Sequence, residues 1–380
     1  MKIVIAPDSF KGSMTALEAA KSIERGVKKA MPSCETILVP VADGGEGTLE
    51  ILVSATNGRK VEVDVIGPLL NKVTAQYGVL GDGETCVIEM ASASGLCLVE
   101  KEQLNPMLAT TYGTGELIKK ALDDGFRSFI LAIGGSATND GGAGMLQALG
   151  MRLCNAEGES IGFGGGELSN ISTIDDIGFD KRIKESKFLI ASDVQNPLVG
   201  EFGASYVFGP QKGASKKMVE QLDRNLHHWS DLVEIHTGIC LHDKPGAGAA
   251  GGIGGAFQAF FPSETKRGID IVISYSQLKE KLRDSSCVFT GEGQIDSQTA
   301  SGKTPMGVAE AAKKIGIPVF ALAGSIGKGI EVLYDHGIHS VHSIINTPMT
   351  LEEAMERGEE LLESTAEQVL RTYLSSIHNQ

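Results

Sequence analysis

The sequence predicts an α/β protein in which both chain ends build one parallel-sheet domain and the middle of the chain forms a second α/β domain. Three observations carry this. A strand, an amphipathic helix, a second strand and a second helix follow one another at the N-terminus. The same grammar returns in the C-terminal third. Between them, residues 60–90 alternate apolar and polar side chains, which is the pattern of hairpin or edge strands.

Residues 2–6 form the first apolar strand and end at Pro7-Asp8. A helix over 16–30 follows. Thr15 and Glu18 make a capping box, and Leu17, Ala20, Ile23, Val27 and Ala30 make an apolar stripe. Glu24 and Lys28 are spaced to pair on its outer face. A strand over 36–41, a loop from Asp43 to Gly47 and a helix from 48 complete this start. In the middle, helices fall near 111–124 and 215–229, and strands near 128–133 and 187–191. Toward the C-terminus, Cys287–Thr290 reads as a strand, and Thr304 caps a helix opened by Pro305. Val319–Ala323 and His339–Ile345 are further strands. Thr350 and Glu353 then start one long terminal helix with a stripe through Leu351, Met355, Gly358, Leu362, Thr365, Val369 and Tyr373. The simplest assembly is a five-stranded, flavodoxin-like domain from residues 1–56 and 285–380, with an inserted α/β domain over 57–284. A cleft between the two is the expected place for a ligand.

The chain has 380 residues and a net charge of −14, which argues against nonspecific nucleic-acid binding and against an anionic membrane surface. No apolar run reaches the length of a membrane span. Met1–Ile5 runs straight into a strand and leaves no room for a signal peptide, so a cytoplasmic protein is expected. The cysteines at 34, 86, 97, 154, 240 and 287 are scattered without a CxxC pair and are expected to be buried, reduced thiols. The 48 glycines follow no collagen or linker period, so their excess belongs to loops.

Those loops carry the chemistry. Most follow an expected strand and pair glycines with one or two carboxylates: Asp8 with Ser9 and Lys11, Asp43-Gly44-Gly45-Glu46, Gly134 to Gly142, Ser192-Asp193, and Gly291-Glu292-Gly293 with Asp296. Glycine lets the backbone approach a ligand, and carboxylates at strand ends hold cations or accept protons. Asp8, Asp43, Glu46, Glu292 and Asp296 lie at the ends of three strands, which converge if the sheet is parallel. Carboxylates so close repel one another unless a cation sits among them, which points to a magnesium–phosphate site. Gly134 to Gly142 offers amides with the side chains of Ser136, Thr138 and Asn139, suited to a phosphate or a small polyol acid. Gly302-Lys303-Thr304 is not a P-loop, because Ser297 stands where its first glycine belongs. Gly246 to Gly251 matches a dinucleotide fingerprint, but His242-Asp243-Lys244-Pro245 before it is no buried strand. A close-packed or phosphate-facing glycine turn is the better reading. His228 and His342 have no metal-ligand spacing, and no nucleophile elbow is present.

Several of these segments run through the whole chain in one order. They include Ala6-Pro7-Asp8-Ser9, Val41 to Thr48, Gly113 to Ile118, Gly134 to Met145, Asp193 with Asn196-Pro197-Leu198, Phe208 to Ala214, Gly246 to Gly255 and Thr290 to Gly293. In them the chain resembles the type 1 glycerate kinases. The resemblance implies a flavodoxin-like domain with a large insertion, and ATP- and Mg2+-dependent phosphorylation of D-glycerate in the cytoplasm. Its product would be 2-phosphoglycerate in preference to 3-phosphoglycerate. The needs of phosphoryl transfer, laid on these residues, make Asp193 the candidate base and Lys11 the neutraliser of the transferring phosphate. Asp8, Asp43 and Glu46 would hold the metal or its waters. Ser136, Thr138, Asn139 and Asp140 would bind the substrate. Ser9, Gly44, Gly45, Gly291, Glu292, Gly293 and Asp296 would face the nucleotide. Two other readings stand beside it: a dinucleotide-dependent oxidoreductase acting on a hydroxy acid, and a non-catalytic sugar-acid sensor.

Overall fold

The computed structural model describes residues 1–297, 299 and 302–377. In chain order, Lys2–Ile5 (β1) and Glu35–Leu38 (β2) come first. Then follow Arg59–Ile66 (β3), Lys72–Val79 (β4), Thr85–Glu89 (β5), Ser128–Ala132 (β6), Arg152–Cys154 (β7), Thr173–Asp175 (β8), Lys187–Ala191 (β9) and Ser263–Lys266 (β10). Cys287–Ile295 (β11), Val319–Ile326 (β12) and Ile338–Ser343 (β13) come last.

The chain forms two compact units, one from Met1–Asp43 with Ile269–Gln380 and the other from Gly44–Gly268. Both joints fall earlier than the expected 57 and 284. The helix Thr48–Ala55 belongs with the second unit because Leu49 and Val53 pack over Gly78 of β4. Ile269 belongs with the first because its side chain packs on Gly307.

The first unit is a five-stranded sheet in the order β13-β12-β11-β1-β2, with every pair parallel. This is the flavodoxin-like order, assembled from both chain ends. Ile3, Ile5, Phe289 and Leu322 are buried against Ile23 and Val27 of the helix Ala16–Ala30 and against Leu362 and Leu370 of the helix Gly358–Ile377. The two helices touch backbone to backbone at Gly26, where a Cβ would strike the Glu363 carbonyl. Thr15 and Glu18 make the expected capping box. Other local expectations change. Leu17 is exposed, and Ala16 and Ala19 take the buried face. Glu24 does not pair with Lys28; it accepts from Thr36 Oγ1, while Lys28 donates to the Cys34 carbonyl. β2 stops at Leu38, although the amides of Val39 and Val41 still reach the carbonyls of Ile5 and Pro7. The terminal helix is two helices, Leu351–Glu356 and Gly358–Ile377. Ser13 Oγ donates to the Met355 carbonyl, which an unbroken helix would offer to the Glu359 amide.

The second unit holds a six-stranded sheet in the order β10-β9-β6-β5-β4-β3. β10, β9, β6 and β5 run parallel, while β3 and β4 form the antiparallel hairpin expected over 60–90. β7 and β8 pair separately. One apolar core joins β4, β5, β6 and β9 to the helices Tyr112–Asp123, Lys216–Thr237 and Ile253–Phe260. Phe129 stacks on Phe188 with ring centroids 4.8 Å apart. Trp229 is fully buried, and its indole donates to the Gly141 carbonyl at 3.2 Å. Of the six free cysteines, Cys97 and Cys240 are exposed rather than buried.

Candidate active site

In the first unit the chemistry lies just past the carboxyl ends of β1 and β2 and along the carboxyl-terminal half of β11. The Asp8 amide donates to the Gly291 carbonyl at 2.8 Å, which extends the β1–β11 ladder and fixes where the Asp8 side chain begins. Asp8 is buried, 8 % exposed. Its carboxylate accepts from the Ser9 amide at 2.6 Å and from Thr304 Oγ1 at 2.5 Å. Thr304 therefore does not cap the helix Thr304–Lys313, whose cap position is Lys303; its hydroxyl serves the acid instead. Burial, and then the neighbouring Asp43 charge, push Asp8 up to about 6 against the pull of Thr304, Ser9 and Lys11.

Glu292, in the carboxyl-terminal half of β11, accepts from Thr299 Oγ1 at 2.9 Å. Burial pushes it up to about 7, with Lys303 and Thr299 opposing and the charges of Asp8 and Asp43 adding to the rise. Asp8, Asp43 and Glu292 thus sense one another, as three parallel strand ends require. Asp296 bonds Gln294 Nε2 at 2.9 Å, and its amide meets Thr299 Oγ1 at 3.2 Å. Lys11 is exposed at the same edge. Gly291 has a reason of its own, since a Cβ there would strike the Leu322 carbonyl on β12. A mostly apolar cavity of about 440 Å³ opens beside these groups, lined by Phe10, Lys11, Gly293, Ser325, Ile345 and Met349 among others.

The second unit carries its own polar edge. The register Glu89–Ala132–Ala191 aligns the carboxyl ends of β5, β6 and β9, so Glu89, the Gly134 loop and Asp193 leave the sheet together. Gly44 and Gly45 pack on this edge: a Cβ on Gly44 would lie 2.8 Å from the Ala191 carbonyl, and one on Gly134 would lie 2.7 Å from Gly45 Cα. Glu46 is exposed, and its charge acts on Glu89, which burial pushes up to about 6. Glu89 accepts from the amides of Gly47 and Leu49, both at 3.2 Å, and so closes the start of the helix Thr48–Ala55. Asp193 is half-buried and accepts from the Gly268 amide at 3.3 Å.

Within the loop, Asp140 is fully buried and engaged by its own surroundings. One of its oxygens accepts from the Gly142 amide at 3.1 Å. The other accepts from the Thr111 amide and hydroxyl, both at 2.8 Å, and from the Gly144 amide at 3.3 Å. It braces the loop. Thr138 Oγ1 and Asn139 Oδ1, in contrast, are buried without a hydrogen-bond partner, although Asn139 Nδ2 reaches Ser205 Oγ at 2.9 Å. Buried polar atoms are ordinarily satisfied, so such orphans mark places for a ligand or water.

Lys212 is the residue that sequence reasoning missed. It is fully buried and donates to Ser136 Oγ at 2.7 Å and to the Thr138 carbonyl at 2.6 Å. Burial pulls its ammonium down to about 7 against the Asp140 charge. The signal was the stretch Phe208 to Ala214, which invited a role for its one charged residue. The glycines of 246–252 also find their reason here. Ala250, Gly251 and Gly252 all take positive φ, and a Cβ on Gly251 would strike the Thr138 carbonyl. The Gly141 amide donates to the Gly251 carbonyl at 3.0 Å. The run is a close-packed backing for the candidate loop and follows no strand, unlike a dinucleotide fingerprint.

A parallel α/β sheet with hard-to-ionise carboxylates at its carboxyl edge, and a glycine-rich loop over a buried lysine, define an enzyme of the phosphotransferase class. The comparisons narrow this: the chain belongs to the glycerate kinase family, whose profile matches residues 3–374. It is 52 % identical to the glycerate kinase of Bacillus subtilis (strain 168), over 97 % of each chain. It is 51 % identical to the glycerate 2-kinase of Escherichia coli (strain K12), over 93 % of each. A crystal structure from Salmonella typhimurium LT2, provisionally described as glycerate kinase 2, superposes over 100 % of both chains with a TM-score of 0.86 at 47 % identity.

Proposed function

We propose that this protein transfers the terminal phosphoryl group of ATP to D-glycerate, with the C2 hydroxyl the favoured acceptor. The observation that carries the reading is the trio Asp8, Asp43 and Glu292, packed at adjacent parallel strand ends with two members resisting ionisation. Hard carboxylate oxygens that repel one another suit Mg2+, which when bound would neutralise phosphate oxygens. Asp8, Asp43 and Glu292 are the proposed holders, with Glu46, whose charge acts on Glu89, as a further candidate.

The chain's own groups divide the remaining work. Lys11, exposed at the same edge, offsets charge on the transferring phosphate. Gly293 offers close backbone approach, and the adjoining apolar cavity is the proposed seat of the purine, with Lys11, Ser13 and Ser325 among its polar lining. Ser136, Thr138 and Asn139 read the acid and hydroxyls of glycerate, two of them through orphaned oxygens. Lys212 holds Ser136 and Thr138 in place from beneath. Asp193 orients or deprotonates the attacking hydroxyl. This reading puts the reaction in the cytoplasm, where the free thiols stay reduced.

The test is phosphorus NMR of the products from pure protein, D-glycerate, ATP and Mg2+. A phosphomonoester coupled to the C2 proton is expected. Coupling to the C3 protons would reassign the acceptor, and no new phosphomonoester would refute the reading.

A further inference from the structure

The helix Lys216–Thr237 ends at Gly238, whose left-handed backbone (φ 77) turns the chain back along the helix. This brings His242 against residues of its last turns. His227 and Asp231 are four residues apart and share one helix face. His227 Nδ1 lies 3.4 Å from Asp231 Oδ2, and His242 Nε2 lies 2.9 Å from Asp231 Oδ1. The two imidazoles meet at 61° with centroids 4.4 Å apart. One ligand atom from each of the three residues falls within 4.8 Å of the others. Two nitrogen or oxygen ligands held tetrahedrally at about 2.1 Å from zinc stand about 3.4 Å apart, so little movement is needed to close a site.

His242 supplies the second argument. Its Nε2 is enclosed and has no aligned hydrogen bond, in spite of the carboxylate oxygen beside it. Its Nδ1 faces Ser230 Oγ at 3.2 Å and Cys240 Sγ at 3.3 Å. Its carbonyl accepts from the Leu198 amide at 3.0 Å, which pins the backbone. A ring held through Nδ1 that presents a bare Nε2 to a carboxylate is the posture of a metal-ligating histidine. An ordinary exposed ion pair would account for His227 with Asp231, which are 58 % and 50 % exposed, but not for the unaligned Nε2.

We propose that His227, Asp231 and His242 bind one divalent transition-metal ion of the zinc class, with water completing its coordination. Two imidazoles select such an ion over Mg2+. The site shares no residue with the carboxylates assigned to phosphoryl transfer. Cys240, on the Nδ1 side of the ring, orients His242 and is not a ligand.

The full chain, stripped of metal by chelation, would be titrated with Co2+ in a large excess of Mg2+, which occupies carboxylate-only sites. One Co2+ per chain is expected, with visible d–d absorption and no thiolate charge-transfer band. His227→Gln and Asp231→Asn, both at exposed positions, should weaken binding at least tenfold and leave glycerate turnover at the wild-type level. Absence of Co2+ binding in excess Mg2+, unchanged affinity in His227→Gln, or a strong thiolate band would each overturn the assignment. The binding readout does not depend on which acceptor is phosphorylated, so its failure is separate from failure of the kinase reading.

Discussion

Asp8 shows how one residue carries opposed demands. Its displacement from 3.8 to about 6 corresponds to about 3 kcal/mol set against the ionised form. Because the folded value is raised, this penalty grows as the pH climbs through that window. Asp8→Asn should therefore melt higher than wild type at pH 8 without divalent cation, and should lose at least a thousandfold in turnover. Calorimetry and a coupled assay on the same preparations check both halves; a lower melting point would count against the burial argument. Lys212 works with the opposite sign. Its folded value is depressed from 10.5 to about 7, so the protein gains stability as the pH rises between the two. In Lys212→Met that gain should vanish in chemical denaturation from pH 7 to 10. Asp193→Asn should lower kcat with little change in KM; near-normal turnover would remove it as base.

At the scale of the element, the strand–turn–helix grammar was legible because its signals are local: an apolar run, a capping box, a glycine just past a strand. The contents of the site were less so. Thr304 read as a helix cap because nothing in its own neighbourhood announces Asp8, 296 residues away. The bracing role of Asp140 was hidden because its partner Thr111 lies 29 residues away. Lys212 drew no role because a lysine is ordinarily exposed, and only the fold encloses it. The single terminal helix broke for the same reason, since Ser13 is remote in sequence from Met355. The glycine run was legible in kind and not in target. Gly251 has φ +68 and no room before Thr138, whereas Gly83 has φ +73 and nothing nearby. Gly83→Ala should cost about 1 kcal/mol of stability and no activity. Gly251→Ala should displace the loop of Thr138 and Asn139 and raise KM for glycerate at least tenfold; equal behaviour of the two variants would refute the close-packing account.

Across the whole molecule, a net charge of −14 coexists with acids held above their ordinary values by burial, Asp8, Glu89 and Glu292 among them. Between about pH 4 and pH 7 those acids bind more protons folded than unfolded, so they subtract stability as the pH rises. A divalent cation should restore it, more so where the acids are ionised. The rise in melting temperature on adding Mg2+ should be at least twice as large at pH 8 as at pH 5; an equal rise at both would remove the cation from Asp8 and Glu292.

The sheet of the first unit has one more consequence, for synthesis on the ribosome. β1 and β2 emerge long before β11, yet β1 pairs Ile3 with Cys287 of β11, and Thr290 Oγ1 closes onto the Ala6 carbonyl across 284 residues. The Gly44–Gly268 segment is contiguous and can fold as it leaves the exit tunnel. The β11-facing edge of β1 must wait unpaired until residues 287–295 have been made, and Asp8 gains its Thr304 partner only after that.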